Sequence, residues 1–316
     1  MFQNNACGLL RPRALFFSGV NTHRFAGNPY AGHRLARAFG SNIESENHMK
    51  TNYHTHTYRC NHAAPNERQY VEAAVRAGFS ILGFADHVPQ PFRGDYYSGM
   101  RMHPEETADY VDTVRALKHE FRGEIDIHVG FEAEYYPALF ADLLSMLEPY
   151  DYEYLILGQH FLGNEQGENY LGVGFDDEAT LRRYVHQCAE AMATGAFTYF
   201  AHPDIPHFTG SETVYRTHMR ALCREAKISG VPLEINLLGM TGGRHYPSRA
   251  FWEEAAAVGN KVILGWDAHA PEGLSLPQTE EKAAAWIDEL GLARIDCPAL
   301  RAPHGCRAIA ADVFHS

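Results

Sequence analysis

The chain has 316 residues, a formal net charge of −12 and 45% hydrophobic residues, enough for one large α/β barrel or two ordinary domains around a sizeable core. Residues 1–48 hold five Arg and two Glu, which leaves 22 basic against 37 acidic residues in the remainder, a net of −15. Such a body repels nucleic acid unless a local cationic site overrides its field, so the balance favours a small anionic substrate over a long polyanion, and no apolar run approaches the ~20 residues of a membrane span.

The first 43 residues carry five Arg and no acid, and residues 14–20 form a short apolar run. This weakly mimics a targeting leader but lacks a clear small-residue cleavage site. Residues 1–48 are expected to be an N-terminal extension without catalytic role, with Met49 a natural start. The six cysteines, Cys7, Cys60, Cys188, Cys223, Cys297 and Cys306, form no C-x-x-C pair and read as free thiols in a reducing cytoplasm. Cys60 lies between His56 and His62, close enough in sequence to touch a metal there. A small semi-buried role suits it equally.

From residue 51 the chain alternates strand and helix. Residues 51–57 are the first strand-like run. Asn66 is placed to cap the helix that follows, with Gln69 three residues on, and Gly78 closes it. Residues 80–85 (SILGFA) read as a buried strand, being apolar without alternation. A Pro-, Gly- and Tyr-rich loop, 88–103, leads to a helix over 105–121 and a strand over 125–131. A helix over 138–147 has Pro137 as its expected first residue. Strand 152–157 and a glycine-rich loop, 163–174, follow. Helices at 177–194, 212–227, 248–258 and 279–290 then alternate with strands at 197–201, 232–237 and 261–265. Residues 297–316 have no clear period and are expected to be a loose C-terminal tail. Seven βα units in one array argue for a parallel sheet. The expected fold is a distorted (βα)7 TIM-like barrel over residues 49–296, with its site at the C-terminal ends of the strands.

Metal-type ligands stand at those ends. His54 and His56, two apart on a strand, face one side. His62 follows in the loop. Asp86 and His87 end strand two, Glu132 ends strand three with Glu134 as a competitor, His160 ends strand four, His202 strand five, and Asp267 and His269 strand seven. Each alone could be ordinary, but six of seven strand ends carry such a residue. Imidazoles and carboxylates suit first-row divalent metals.

These motifs resemble the PHP family, the polymerase and histidinol phosphatase superfamily. His54-x-His56 with His62, Asp86-His87, Gly-x-Glu132 and Asp267-x-His269 match its pattern in order. The resemblance implies three metal sites: His54, His56, Glu132 and Asp267 at the first; Glu132 as a bridge with His160 and His202 at the second; His62, His87 and His269 at the third. Residues 110–137 and 152–162 resemble the histidinol-phosphatase branch. After His202-Pro203-Asp204 that branch usually has a basic residue, where this chain has Ile205-Pro206-His207. A second basic residue is missing near Thr241.

The expected function is therefore metal-dependent phosphomonoester hydrolysis, with histidinol phosphate as substrate and histidine biosynthesis as setting. The expected cofactors are three divalent transition metals, Zn, Mn or Fe, whose bridging hydroxide attacks phosphorus. Glu132 and Asp267 serve the catalytic centre, and Asp86 orients a histidine through a hydrogen bond. Arg244, Arg249 and Arg93 are the expected phosphate contacts, since a guanidinium matches phosphate bidentately. The loop 88–103, with Arg93, Tyr96, Tyr97 and Arg101, is expected to cap the mouth. The expected partner is a small phosphorylated substrate, with neither a nucleic-acid polymer nor a membrane. Rival readings are a PHP phosphoesterase acting on nucleotides or another small ester, a metal-dependent amidohydrolase, and a non-catalytic metal-binding domain. Amidohydrolases often use a modified lysine after strand four, and YEYLILGQH has none.

Overall fold

The computed structural model describes residues 48–167 and 170–303. The proposed extension, His48 apart, lies outside the described residues, as do Cys7, Cys306 and the end of the tail.

One set of strands runs β1 (Thr51–Asn52), β2 (Ile81–His87), β3 (Asp126–Ala133) and β4 (Tyr154–Leu157), each pairing in parallel with the next. A second set runs β5 (Leu233–Asn236), β6 (Lys261–Gly265) and β7 (Ala293–Arg294), also parallel. The crossovers are α1 (Glu67–Arg76), α2 (Thr107–Glu120), α3 (Phe140–Leu147), α4 (Glu178–Ala193), α5 (Glu212–Ile228), α6 (Leu237–Thr241), α7 (Arg249–Val258) and α8 (Pro277–Leu290). The result is an α/β fold with a curled parallel sheet.

The predicted strand at 197–201 is not a regular strand. Phe200 makes isolated parallel bridges to Leu157 on one side and Leu233 on the other, and Thr55 bridges Ala268. Curvature explains this. The curl of the sheet breaks the ladder here, and only Phe200 stays in register with both neighbours. Conversely, β2 and β3 run past their predicted ends, so Asp86, His87 and Glu132 stand within the ladder.

Asn66 does precede α1, but at φ 78° and without a side-chain cap bond; its carbonyl accepts from Gln69 N–H at 3.0 Å instead. Residues 137–139 form turns, and α3 begins at Phe140 rather than Pro137. The tail is docked at its start: Leu155 N–H donates to Arg301 O (3.0 Å) and Arg301 N–H to Thr198 Oγ1 (2.9 Å).

Period-two alternation divides the apolar side chains. Phe84, Phe131, Leu155 and Leu157 pack outward in the layer shared with the helices. Tyr53, Ala85, Tyr154, Ile156, Tyr199, Ala201 and Ile263 form a separate inner cluster. Tyr154 lies across the interior and donates to Tyr53 O (2.8 Å) and Phe84 O (3.1 Å). A Cβ at Gly83 or Gly130 would meet its ring. This plug fills the interior beneath the strand ends.

Candidate metal centre

Strand register begins the gathering, because His87 on β2 pairs with Glu132 on β3. Glu132 points inward against Gly158, where any Cβ would overlap its carboxylate. Two further groups arrive on strained backbone. His202 has φ 33° and Asp267 φ 50°, in the left-handed region that costs non-glycine residues about 1–3 kcal/mol each. Both are pinned. His202 N–H donates to Glu234 Oε2 (2.9 Å) and Asn236 Nδ2 donates to Asp267 Oδ2 (3.1 Å).

Four donor atoms then face one point. His54 Nε2 lies 3.1 Å from His56 Nε2, 3.5 Å from Glu132 Oε2 and 3.5 Å from Asp267 Oδ1. His56 Nε2 lies 3.5 Å from Glu132 Oε2 and 3.1 Å from Asp267 Oδ1. The outer edges of both rings are taken: His54 Nδ1 by Glu234 Oε1 (2.8 Å), His56 Nδ1 by Asp86 Oδ1 (3.4 Å). With Nδ1 hydrogen-bonded to those carboxylates, each Nε2 faces inward, where it carries a proton or, once that proton is displaced, offers its lone pair to a cation. Two imidazole lone pairs and two carboxylate oxygens aimed at one spot require a positive charge between them. A tetrahedral shell with bonds of about 2.0–2.1 Å has edges of about 3.3–3.4 Å, in the range seen here. The residues fit a divalent cation.

Glu132 faces a second group through its other oxygen, with Oε1 2.8 Å from His202 Nε2 and 3.5 Å from His160 Nε2. His160 Nδ1 rests on Glu134 Oε1 (3.0 Å). The third predicted set is a looser neighbourhood. The His62 ring centroid is 5.5 Å from that of His87 and 4.8 Å from that of His269. Groups with donor atoms within 4.8 Å of one another include Cys60, His62 and His269, and His56, His87 and His269. Cys60 is buried beside this group, while His62 is exposed at the rim.

The electrostatics match a cage for cations. Burial disfavours the charged form of His54, yet Glu234, Asp267 and Glu132 outweigh it and raise its pKa to about 10. Burial likewise opposes ionisation of Glu132 and Asp267. The imidazoles around them win, His160 and His87 for the first and His54 and His56 for the second, and hold both carboxylates well below the usual range. Burial and His56 push His269 down to about 3, against the pull of Asp267. The carboxylates demand positive charge from this cluster, and not every ring can supply it as a proton.

The centre floors a cavity of about 590 Å³ with a rim of Met100, Phe161, Tyr170, Ile205, Leu238 and Tyr246. Of the three arginines expected at the phosphate, Arg244 lines this cavity, its Nη1 donating to Tyr246 Oη at 2.6 Å. Arg249 instead grips Glu289 (2.7 and 2.9 Å) and Glu253 (3.2 Å) along the outer helices. Arg93 is 81% exposed, 3.8 Å from Asp142. The loop 88–103 reaches the cavity through Met100, and its Arg101 is buried rather than at the mouth. Glu234 and Asn236 were not among the expected residues: Glu234 lies inside a strand, and Asn236, at the end of β5, is not a metal-type ligand. The signal was a carboxylate inside the apolar run VPLEINLL.

Fold and site together define a divalent-metal-binding α/β protein with a curled parallel sheet. The chain belongs to the PHP domain family, which matches residues 52–237. It is 31% identical over 227 residues to a protein of Deinococcus radiodurans named "Probable histidinol-phosphatase", covering 69% of this chain and 85% of that one. It is 29% identical over 152 residues to a histidinol-phosphatase of Bacillus subtilis, covering 46% and 55%. The crystal structure of histidinol phosphate phosphatase from Lactococcus lactis, complexed with zinc, L-histidinol and phosphate, superposes with a TM-score of 0.60 at 19% identity, covering 78% of this chain and 95% of that one. No helix among the described residues is long and apolar enough to cross a membrane.

Proposed function

We propose that this chain is a metal-dependent phosphomonoesterase that hydrolyses histidinol phosphate. The observation that carries the reading is the convergence of His54, His56, Glu132 and Asp267 on one point, with Glu132 turning its other oxygen to His160 and His202. The names of the curated relatives supply the substrate.

Three cations are proposed, held respectively by His54, His56, Glu132 and Asp267; by Glu132, His160 and His202; and by His62, His87 and His269. Zinc, manganese and iron all accept such donors. Bound there, divalent cations would supply a water of lowered pKa and neutralise the charge of the phosphoryl oxygens. The rest of the work falls to the chain. Glu234 and Asp86 hold the rings of His54 and His56 so that each Nε2 faces inward. Arg244, a cation lining the cavity, is placed to take a phosphoryl oxygen. Its charge would replace that of the basic residues the family usually has after Asp204 and near Thr241. The apolar and aromatic rim receives the leaving alcohol and limits water.

The catalytic body is proposed as one distorted (βα)7 barrel over residues 49–296. Support comes from the bridges at Phe200 and Thr55, which link the two strand sets, and from β7, which pairs with β6. Net charge supports a small phosphorylated substrate over a nucleic-acid polymer. Free thiols at Cys60, Cys188, Cys223 and Cys297 accord with a cytoplasmic setting.

The test is a phosphatase screen of the metal-loaded protein with histidinol phosphate beside nucleotides and sugar phosphates. Histidinol phosphate is expected to be the best substrate. Clear turnover of another ester, with none of histidinol phosphate, refutes the substrate while sparing the chemistry. His160→Ala is expected to abolish turnover in a folded protein, and rates near wild type would refute the centre as drawn.

A further inference from the structure

Arg101 is 2% exposed, and a guanidinium that deep must have every nitrogen satisfied. Its Nη1 and Nη2 grip the two oxygens of Glu134, both at 2.9 Å. Its Nε donates to Glu165 Oε2 at 2.9 Å, and Nη1 also donates to Val88 O at 3.1 Å. These partners belong to three different parts of the site. Glu134 Oε1, held by Arg101 Nη2, also takes His160 Nδ1 at 3.0 Å, which turns His160 Nε2 toward Glu132. Val88 begins the loop that puts Met100 on the cavity rim. Glu165 lies in the loop that brings Phe161 and Tyr170 to the same rim, and its Oε1 accepts from Tyr96 Oη at 3.0 Å across the two loops.

We propose that Arg101 is a positioning residue that fixes the candidate ligand His160 through Glu134 and, through Glu165, locks together the two loops that shape the substrate cavity. This rests on the metal-centre reading. A planar fork is required for the task, because it meets one carboxylate with two parallel N–H groups while a third edge serves another. Lysine keeps the charge but cannot hold both. The two arms have separable outputs: the Glu134 arm governs cation affinity, the Glu165 arm governs how the cavity holds substrate.

The experiment measures Zn²⁺ affinity by competition with a chelating dye, and kcat and KM for histidinol phosphate, in Arg101→Lys, Glu134→Gln and Glu165→Gln. Circular dichroism verifies folding of each. Arg101→Lys is expected to weaken zinc binding by about 10–100-fold, the usual effect of losing a ligand's supporting partner, and also to raise KM. Glu134→Gln reproduces the zinc effect. Glu165→Gln raises KM with zinc affinity unchanged. The double variant Arg101→Lys/Glu134→Gln binds zinc no more weakly than the worse single variant, since both break one linkage. A folded Arg101→Lys that binds zinc like wild type overturns the proposal, as does additivity in the double variant. If Arg101→Lys does not fold, equal zinc effects in Glu134→Gln and Glu165→Gln overturn it. Absence of histidinol-phosphate turnover in the wild type, with the zinc pattern intact, defeats the substrate reading and leaves this one standing.

Discussion

Glu132 is the residue on which the site turns, because its two oxygens face two different groups of imidazoles. Its place depends on a residue with no side chain. Gly158→Ala would drive a methyl into the Glu132 carboxylate, and turnover is expected to vanish while circular dichroism stays native. Glu234 is the other determinant, since it holds His54 Nδ1, the His202 amide and Asn236 Nδ2 together. Glu234→Gln keeps the shape but weakens the charge that orients His54, and should lower zinc affinity or kcat by about 10–100-fold, read by dye competition and steady-state kinetics. His54, His56, Glu132 and Asp267 were legible from residue type and strand-end position. Glu234 was not, because an interior carboxylate on a buried strand looks like an anomaly until its partner, 180 positions away, is seen. Arg249 and Arg93 were legible as arginines only. Which carboxylates would claim their charge is a matter of neighbouring helices.

Among the elements, β3 and β4 show how far local pattern carries. Both were expected, yet what joins them at the base is Glu153, which accepts from Val129 N–H (2.9 Å) and Lys118 Nζ (2.6 Å) and pairs with His128 Nδ1 (3.1 Å). Burial alone would raise its pKa, but His128, Lys118 and the Val129 amide outweigh it and bring it down to about 2. A depressed carboxylate stabilises the fold above its unfolded value and loses that contribution as pH falls from about 4.5 toward 2. The group is a third exposed, so solvent discounts the gain to about 1 kcal/mol. Glu153→Gln should lower Tm slightly at neutral pH, and the difference from wild type should shrink below pH 4.5. Thermal melts of both proteins from pH 2 to 7 check this. A gap that widens in acid would contradict it. The strand at 197–201 was legible as an apolar run, but not its reduction to a bridge at Phe200, because composition does not encode sheet curvature.

At the scale of the molecule, β3, the segments just past β1 and β6 and the turn after Phe200 all bring candidate ligands to one centre, so a cation bound there would crosslink much of the sheet. Stripping metal with a chelator should lower Tm by about 5–10 °C, from about 2.7 kcal/mol of linkage at a hundredfold excess over Kd. Adding zinc back should restore it. Calorimetry with and without chelator reads the shift, and no shift would mean that the carboxylate–imidazole cage stands without cations.

The chain's own pattern determined the class of fold, the alternation of its elements and the residue types that reach the strand ends, because period-two and helical spacing and ligand chemistry are local properties. Tertiary structure alone decided which imidazole faces which carboxylate, that His202 and Asp267 sit on left-handed backbone, and that Arg101 is buried between two loops rather than exposed at the mouth. Those outcomes depend on distances between residues far apart in sequence, and the physical reason is that buried charge is settled by whichever partners the packed fold brings within reach.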